Sequence, residues 1–316
     1  MHHVQRGREL RLASAYSGNS RSFARCALVD GGTGSVHMGL GLCELGPIGH
    51  VDIHIHSFEE SFYVLEGSPT VVIDRRAYPL SAGACGLIPV GTPHAWIEPI
   101  GRPARWIDML APQPRSNGAP ADTFFLGPPA AYDACDFDLR DPRSPSLFHV
   151  ADNDIELDRL KAGSAVDAPT VSASMNTALL AYSGIALKML VDRRLGAELS
   201  TMFLVEYQPG GVAHPHDHPL EEAYFILDGQ IEAIADGCRY VLDAGDVFWT
   251  GVGCIHGFHN TSGGRVRWLE TQSPQLPARY GYRFNRDWEY LKEKLSTREC
   301  ESHSLIATDR TCARRD

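Results

Sequence analysis

Residues 49–60 read GHVDIHIHSFEE, and a matching stretch, GVAHPHDHPLEE, occupies residues 211–222. Both have the form G-x4-H-x-H-x3-E, so two histidines and a glutamate recur at identical spacing. The same offset of 162 positions holds without a gap from residues 28–108 onto residues 190–270. Each copy spans roughly a hundred residues, which is enough to bury a core of its own. The chain is therefore a duplicated domain rather than an array of short repeats.

Each copy also carries residue types that bind divalent transition metals. A second pattern, G-x7-G-x2-H, follows the first and adds a third histidine. On a strand, H-x-H points both imidazoles to one face, and we expect a hairpin to bring the glutamate beside them. Three imidazoles and one carboxylate suit Mn, Fe, Ni, Cu, Co or Zn without selecting among them, and they leave coordination positions open. The predicted ligands are His54, His56, Glu60 and His94 in the first copy and His216, His218, Glu222 and His256 in the second.

Short apolar runs separated by glycine, proline and aspartate dominate both copies. Residues 61–65 and 70–73, like residues 223–227 and 231–234, are rich in β-branched and aromatic side chains and are bounded by turn residues. This pattern is typical of antiparallel strands and hairpins. Many short strands in each hundred residues indicate an all-β fold, which could be a sandwich, a barrel or a jelly roll.

The segments outside the two copies differ in composition. Residues 111–169 are rich in proline and aspartate and predict a linker with one short helix at residues 154–161. Residues 287–295 place apolar side chains on one face and predict a second helix. Residues 296–316 lack a periodic apolar face, so we expect a disordered tail.

Charge and cysteine content limit the partners and the compartment. The net charge is −10 and no basic stripe is present, which argues against nucleic acid as a partner. Eight scattered cysteines without a CxxC motif favour reduced thiols and a cytoplasmic location. No apolar run approaches the ~18 residues of a membrane span, so we expect no membrane partner. We predict a small-molecule substrate, with the chain a monomer or a homo-oligomer, and give the pair His2-His3 no role.

The spacing of both copies resembles the two sequence motifs of the cupin superfamily. The second copy has Gly251 where the family usually has proline, and the first has Glu98 where asparagine is usual. Neither departure falls on a predicted ligand. The resemblance implies a bicupin, that is, two tandem jelly-roll barrels with short peripheral helices and a metal pocket in each barrel. The implied domains are an N-terminal barrel at residues 1–115, a linker at 116–170, a C-terminal barrel at 171–284, and a helix with a tail at 285–316.

The resemblance implies oxygenative cleavage, decarboxylation, isomerisation or hydrolysis, and it is also compatible with metabolite binding without catalysis. We predict a metal-dependent dioxygenase acting on a small oxygenated metabolite, because the ligand set leaves positions for substrate and O2. The second copy is also similar in layout to ureidoglycine aminohydrolases, which implies a hydrolase of purine or ureide catabolism. In those enzymes, however, we expect glutamine among the ligands and one incomplete barrel. A non-catalytic metabolite-binding protein is the third reading.

Other recurring or neighbouring polar residues have a simpler interpretation. His214 and His259 lie near the second ligand set and could act as a fifth ligand or an acid–base group, but rim positions are more typical. Arg105 with Asp108, repeated as Arg267 with Glu270, could clamp a substrate carboxylate, but strand-end salt bridges are the simpler interpretation. Because the second copy has more histidines, we expect it to contribute more to activity.

Overall fold

Antiparallel strands form both copies of the repeat in the computed structural model, as the short apolar runs predict. The structure describes residues 1–98, 101–115, 122–129, 132, 134–135, 145–155, 183–275 and 283–284. The predicted helix at residues 287–295, the predicted disorder of 296–316 and residues 156–161 of the predicted linker helix lie outside these ranges. Within them, helical structure is confined to three 3-10 turns, at Gly7–Glu9, Asp152–Ile155 and Arg193–Leu195.

The strands are numbered in chain order. The first twelve are β1 (His2–Gln5), β2 (Ala13–Ser14), β3 (Ser20–Val29), β4 (Gly39–His56), β5 (Glu59–Glu66), β6 (Thr70–Ile73), β7 (Arg76–Pro79), β8 (Ala84–Ile88), β9 (His94–Ile97), β10 (Ala104–Ala111), β11 (Thr123–Gly127) and β12 (Leu147–His149). The others are β13 (Ile185–Val191), β14 (Thr201–Tyr207), β15 (Val212–Asp217), β16 (Glu221–Asp228), β17 (Gln230–Ala235), β18 (Cys238–Asp243), β19 (Val247–Thr250), β20 (His256–His259), β21 (Val266–Ser273) and β22 (Arg283–Phe284). The strands predicted at residues 61–65, 70–73, 223–227 and 231–234 are confirmed within β5, β6, β16 and β17.

Each copy folds into a jelly-roll barrel with two faces. In the first barrel the strand order is β3-β4-β10-β5-β8-β12 on one face and β7-β6-β9-β4-β11 on the other. The second barrel repeats this order as β13-β14-β21-β16-β19-β1 and β18-β17-β20-β15-β22. The long strand β4 belongs to both faces, whereas in the second barrel the corresponding chain is divided into β14 and β15. The all-β, two-barrel fold is therefore confirmed.

Several strands are buried on both sides because the two barrels pack against each other. All seven residues of β14 are buried. Val205 packs in the apolar cluster of the second lumen, whereas its neighbour Leu204 packs in a cluster that both barrels share. Leu40 and Met109 of the first barrel belong to that shared cluster too. Residues 202–205 of β14 are therefore apolar without alternation, because neither face of the strand meets water.

The barrels exchange edge strands. β1, at the start of the first copy, pairs with β19 of the second barrel, and β12, which precedes the second copy, pairs with β8 of the first. The predicted boundaries differ from this pairing, since they put residues 1–115 in the first barrel and made residues 116–170 a linker. That segment instead supplies β11 and β12 to the first barrel. Gly251 N–H donates to the Met1 carbonyl at 2.9 Å, a bond that proline at this position would remove.

The hairpin predicted after His56 is wrong. β4 carries His54 and His56 on the face formed with β9 and β11, whereas Glu60 lies in β5, which pairs with β8 and β10 on the other face. Residues 57 and 58 connect the two faces. The glutamate therefore reaches the imidazoles across the lumen, because the short connection leads to the opposite face rather than to a neighbouring strand.

Two glutamates clamp the barrels to each other at equivalent positions. Glu221 Oε1 accepts a hydrogen bond from Val36 N–H at 2.8 Å, and Glu59 Oε1 accepts one from Glu198 N–H at 2.6 Å. Each carboxylate has two further donors in the same loop of the opposite barrel. Both side chains are buried, with 3% of each residue exposed. The contacts are reciprocal, because each barrel holds one loop of the other.

Glu221→Ala is expected to lower the free energy of unfolding by roughly 3 kcal/mol, because the loop donors lose a charged acceptor and stay buried. The measurement is urea denaturation of the metal-free protein. Glu66→Ala is the control: Glu66 is exposed and pairs with Arg105 at 3.3 Å, so its loss should cost less than about 1 kcal/mol. A similar decrease in the free energy of unfolding in the two variants would contradict the stabilising role of Glu221 between the barrels.

Among the described residues, no helix is long and apolar enough to cross a membrane. The described residues include six cysteines, and all six are free thiols. The cytoplasmic location and the oligomeric state stay predictions.

Candidate metal centres

The four predicted ligands of the first barrel converge in its lumen. The ligand atoms of His54, His56, Glu60 and His94 all lie within 4.8 Å of one another, and all four residues are buried. Glu60 Oε2 is 3.1 Å from His56 Nε2 and 3.3 Å from His94 Nε2. His54 lies opposite His94 in the ladder of β4 and β9, so the strand register holds that pair together.

The second barrel repeats this arrangement. The ligand atoms of His216, His218 and His256 lie within 4.8 Å of one another. Glu222 Oε2 is 2.8 Å from His218 Nε2 and 3.2 Å from His256 Nε2. His216 faces His256 in the ladder of β15 and β20, as His54 faces His94. The structure thus brings the eight predicted ligands into two groups, one in each barrel.

The imidazoles are anchored through Nδ1, which leaves Nε2 for the centre. Five of the six hydrogen-bond to backbone carbonyls: His54 to Asp52 at 2.7 Å, His94 to Thr92 at 2.9 Å, His216 to His214 at 2.7 Å, His218 to Leu220 at 2.9 Å and His256 to Cys254 at 3.0 Å. The sixth, His56, lies 3.0 Å from Thr123 Oγ1 of β11. A carbonyl can only accept, so Nδ1 carries the proton and Nε2 keeps its lone pair.

Burial and mutual contact set the protonation of the two groups. Burial, reinforced by neighbouring histidines, lowers the pKa of His54 well below its usual value and that of His216 to about 4. Burial also acts on His218, but the Glu222 carboxylate outweighs it and raises the His218 pKa. Burial opposes ionisation of Glu60 and Glu222, yet their close contact with the histidines of each group lowers both pKa values. Ionised carboxylates and neutral imidazoles are the forms that bind metals.

Both donor sets fit a divalent transition metal. His94 Nε2 is buried and makes no hydrogen bond within the described part of the chain, although Glu60 Oε2 is 3.3 Å away. A buried nitrogen without a hydrogen-bond partner is costly, and a metal ion at the centre would satisfy it. Imidazole nitrogen and carboxylate oxygen are suitable ligands for each metal predicted above, so the donor chemistry does not select one.

Hydrogen-bond donors surround the carboxylate of the second barrel, and sequence analysis missed them. Tyr224 Oη donates to Glu222 Oε2 and lies 2.9 Å from His256 Nε2. Gln272 Nε2 donates to Glu222 Oε1 at 2.5 Å and to Glu270 Oε1 at 3.2 Å. Tyr224 stands two residues after Glu222 on β16, so both side chains point into the lumen. That parity was readable from the sequence and is the signal that could have identified Tyr224.

Apolar side chains occupy the corresponding positions of the first barrel. Phe62 stands where the second copy has Tyr224, and Leu110 stands where it has Gln272. Phe62 is fully buried and packs edge-on against Trp96 at 5.0 Å between ring centroids. The two centres therefore share their ligands but differ in the groups that touch the carboxylate.

An ion pair fills part of the first lumen instead. Arg25 Nε and Nη2 each donate to Asp108 at 2.6 Å, so the two charges neutralise each other. Gly41 provides the room, because a Cβ at this position would collide with both side chains. Phe203 occupies the equivalent position in the second barrel. The charged pair is therefore particular to the first barrel.

Glu270→Gln is expected to change the pH dependence of stability of the metal-free protein. Burial, followed by the charge of Glu222, raises the Glu270 pKa from 4.5 to about 8. Between these values the folded state binds the extra proton, so stability falls as pH rises, by at most about 1.4 kcal/mol per pH unit. The stability of the variant should equal that of the wild type near pH 4.5 and exceed it near pH 8. The measurement is thermal unfolding in the presence of chelator at both pH values. An equal difference in stability between variant and wild type at the two pH values would contradict the raised pKa of Glu270.

The extra histidines take different positions. His214 is half-buried and gives its backbone carbonyl to His216, as Asp52 does for His54. His259 is exposed at the end of β20. Neither imidazole belongs to the group of mutually close ligand atoms in the second barrel, and the groups that surround the Glu222 carboxylate are a phenol, an amide and a carboxyl.

The recurring arginines form salt bridges, as the simpler interpretation predicts, but with other partners. Arg105 donates to Glu44 at 2.6 Å, and Arg267 donates to Glu206, the equivalent residue, at 2.6 Å. Asp108 and Glu270 are not their partners: Asp108 binds Arg25 instead. A role of these arginines as a substrate clamp has no support in this geometry.

Two jelly-roll barrels with a histidine–glutamate centre in each define a duplicated β-barrel protein with two candidate metal sites. Residues 41–110 and 203–271 each match the Cupin domain family. Each of the two barrels therefore contains a cupin domain, and the chain has the two-barrel architecture of a bicupin. No curated protein matches the chain in sequence.

Solved structures of similar fold carry several activities. Salicylate 1,2-dioxygenase from Pseudoaminobacter salicylatoxidans, solved as adducts with gentisate, is 16% identical with a TM-score of 0.65, over 86% of this chain and 81% of that one. A putative glyoxylate-induced protein from Pseudomonas aeruginosa is 16% identical with a TM-score of 0.61, over 87% and 89%. Oxalate decarboxylase from Lactobacillus farciminis, in complex with formate, is 15% identical with a TM-score of 0.61, over 90% and 89%. At these identities the likeness shows the fold alone.

Proposed function

We propose that this bicupin is a metal-dependent dioxygenase acting on a small oxygenated metabolite, with the second barrel as the principal reaction site. The observation that carries the proposal is the set of three Nδ1-anchored imidazoles and one carboxylate in a buried lumen. Four ligands leave about two positions of a six-coordinate ion for substrate and O2. A divalent transition metal, when bound, supplies Lewis-acid and redox chemistry.

The residues beside the centre are suited to holding and moving protons. Tyr224 Oη contacts both Glu222 and His256, so it can orient a substrate hydroxyl or keto oxygen and exchange a proton with it. Glu270, with its pKa raised to about 8 by burial, keeps a proton near neutral pH. Gln272 connects Glu270 to Glu222. These groups give the second barrel an acid–base function that Phe62 and Leu110 cannot give the first.

The walls of the second lumen favour a compact substrate with oxygen substituents. Tyr207, Phe258 and Trp268 belong to its buried apolar cluster and would exclude water from the reaction. Hydroxyl and amide donors then recognise the oxygens of the substrate. Two of the similar structures hold gentisate and formate, which are small oxygen-rich molecules. That likeness supports the substrate class and does not choose one member of it.

Oxygen uptake tests the proposal. Protein reconstituted separately with Fe, Mn, Cu, Ni, Co and Zn is given a panel of catechols, diketones and hydroxylated carboxylates, and O2 consumption is followed together with substrate loss. The expected result is coupled consumption by at least one metal form, lost in His256→Ala. Ammonia release from ureidoglycine without oxygen uptake would replace the dioxygenase with the hydrolase. Tight metal binding without turnover of any substrate would leave a metabolite-binding protein.

A further inference from the structure

We propose that His2, Asp236 and Cys254 form a third metal site, for zinc or an ion of similar size, outside both barrel lumens. Their ligand atoms all lie within 4.8 Å of one another. His2 belongs to the exchanged strand β1, Asp236 to the turn between β17 and β18, and Cys254 to the segment before β20. Nitrogen, oxygen and sulfur donors are the mixture that zinc accepts in proteins.

Two of the distances within this cluster match those of ligands that share an ion. His2 Nδ1 lies 3.5 Å from Asp236 Oδ2, and Cys254 Sγ lies 3.5 Å from the same oxygen. Tetrahedral zinc with bonds of about 2.0–2.1 Å to nitrogen and oxygen and about 2.3 Å to sulfur separates N from O by about 3.4 Å and S from O by about 3.6 Å. A hydrogen bond from imidazole to carboxylate is shorter, at about 2.7–2.9 Å. The His2–Asp236 contact is therefore long for a hydrogen bond and suited to coordination.

Two of the three side chains, those of His2 and Asp236, are oriented by a second contact. His2 Nε2 is 2.7 Å from Tyr240 Oη, which fixes the ring and leaves Nδ1 toward the cluster. Asp236 Oδ1 accepts from Ile255 N–H at 3.3 Å, so Oδ2 is the oxygen that faces His2 and Cys254. The Met1 ammonium donates to this Oδ2 at 3.0 Å, so a metal ion would displace it from the carboxylate.

The equivalent turn of the first barrel can be compared with this cluster, because it has the aspartate but no thiol. Asp74 has a left-handed backbone, with φ of 49°, like Asp236, with φ of 47°. At the position of Cys254, however, the first copy has Thr92, which provides no thiol. The cluster is therefore a feature of the second barrel and of the strand exchanged onto it.

An ion at this site would stabilise two parts of the protein at once. It would bind β1 to the barrel through His2, in addition to the ladder between β1 and β19. It would also hold Cys254, whose backbone carbonyl accepts the Nδ1–H of His256 at 3.0 Å. The third site would thus fix the position of the carbonyl that orients His256, a ligand of the second centre.

Cobalt substitution tests the site, because the two lumen sets contain no thiol. Chelator-treated protein is titrated with Co(II), and we expect a thiolate-to-cobalt charge-transfer band in the wild type. Cys254→Ser and His2→Ala should remove the band and one bound zinc equivalent per chain, as counted by mass spectrometry. Cys26→Ser and Asp74→Asn are the controls and should keep both. Absence of the band at saturating Co(II), or a band that survives Cys254→Ser, would overturn the proposal. The zinc count in His2→Ala, a change on an edge strand, remains decisive where Cys254→Ser fails to fold.

Discussion

His216→Ala should abolish turnover, while His54→Ala should only weaken it. Each change removes one imidazole from a set of four ligands, so metal affinity in that barrel should fall by more than the ~10- to 100-fold typical for loss of an outer-shell partner. The difference in activity follows from the neighbours. The second centre has the phenol of Tyr224 and the carboxyl of Glu270 beside it, whereas the first has Phe62 at the position of the phenol.

The measurement is kcat/KM from oxygen uptake, together with metal content per chain, for both variants. His259→Ala is the control, since this histidine is exposed at the end of β20 and should leave activity and metal content unchanged. Equal loss of activity in His54→Ala and His216→Ala would show that both barrels take part in turnover, and the assignment of the reaction to the second barrel would be wrong.

Tyr224→Phe should lower kcat by about 10²-fold or more while leaving the metal content unchanged, because general acid–base groups contribute about 10²- to 10⁴-fold. The change is sterically mild: the first barrel has Phe62 at this position in the same fold. What the variant loses is the hydroxyl that contacts Glu222 and His256. The pH profile of kcat should also lose one limb if the phenol exchanges a proton during turnover.

Phe62→Tyr is the mirror variant and should not raise activity, because Leu110 stands where the second barrel has Gln272 and no amide would support the new hydroxyl. Thermal unfolding of both variants controls for stability. If Tyr224→Phe loses metal in proportion to activity, the hydroxyl supports the metal ligands and the proposed proton transfer is refuted.

The fold and the two ligand groups could be predicted from sequence, because both depend on local spacing. H-x-H alternates along a strand, so both imidazoles point to one side wherever that strand lies. Because the domain is duplicated, the same spacing and the same strand pattern occur twice in the sequence. Strand β6, predicted at residues 70–73, has those bounds in the structure.

Features that depend on the choice of partner could not be predicted. The connection after His56 is as short as a hairpin turn, and nothing in its residues shows that it joins opposite faces. Glu59 precedes Glu60 and points to the other side of β5, but its acceptor role depends on a loop near residue 198. Gln272 reaches Glu222 only because β21 lies beside β16. In each case the sequence gives the residue but does not indicate which distant residue it contacts.

Because β1 and β12 are exchanged, we expect that neither barrel is soluble when it is produced alone. A fragment ending before β12 would leave β8 as an open edge, and a fragment lacking β1 would do the same to β19. Open edges of this kind recruit strands from other molecules and promote aggregation. Each barrel would also expose the apolar surface that now lies in the shared cluster. The two copies therefore form a single structural unit, in which loss of either half removes an edge strand from the other.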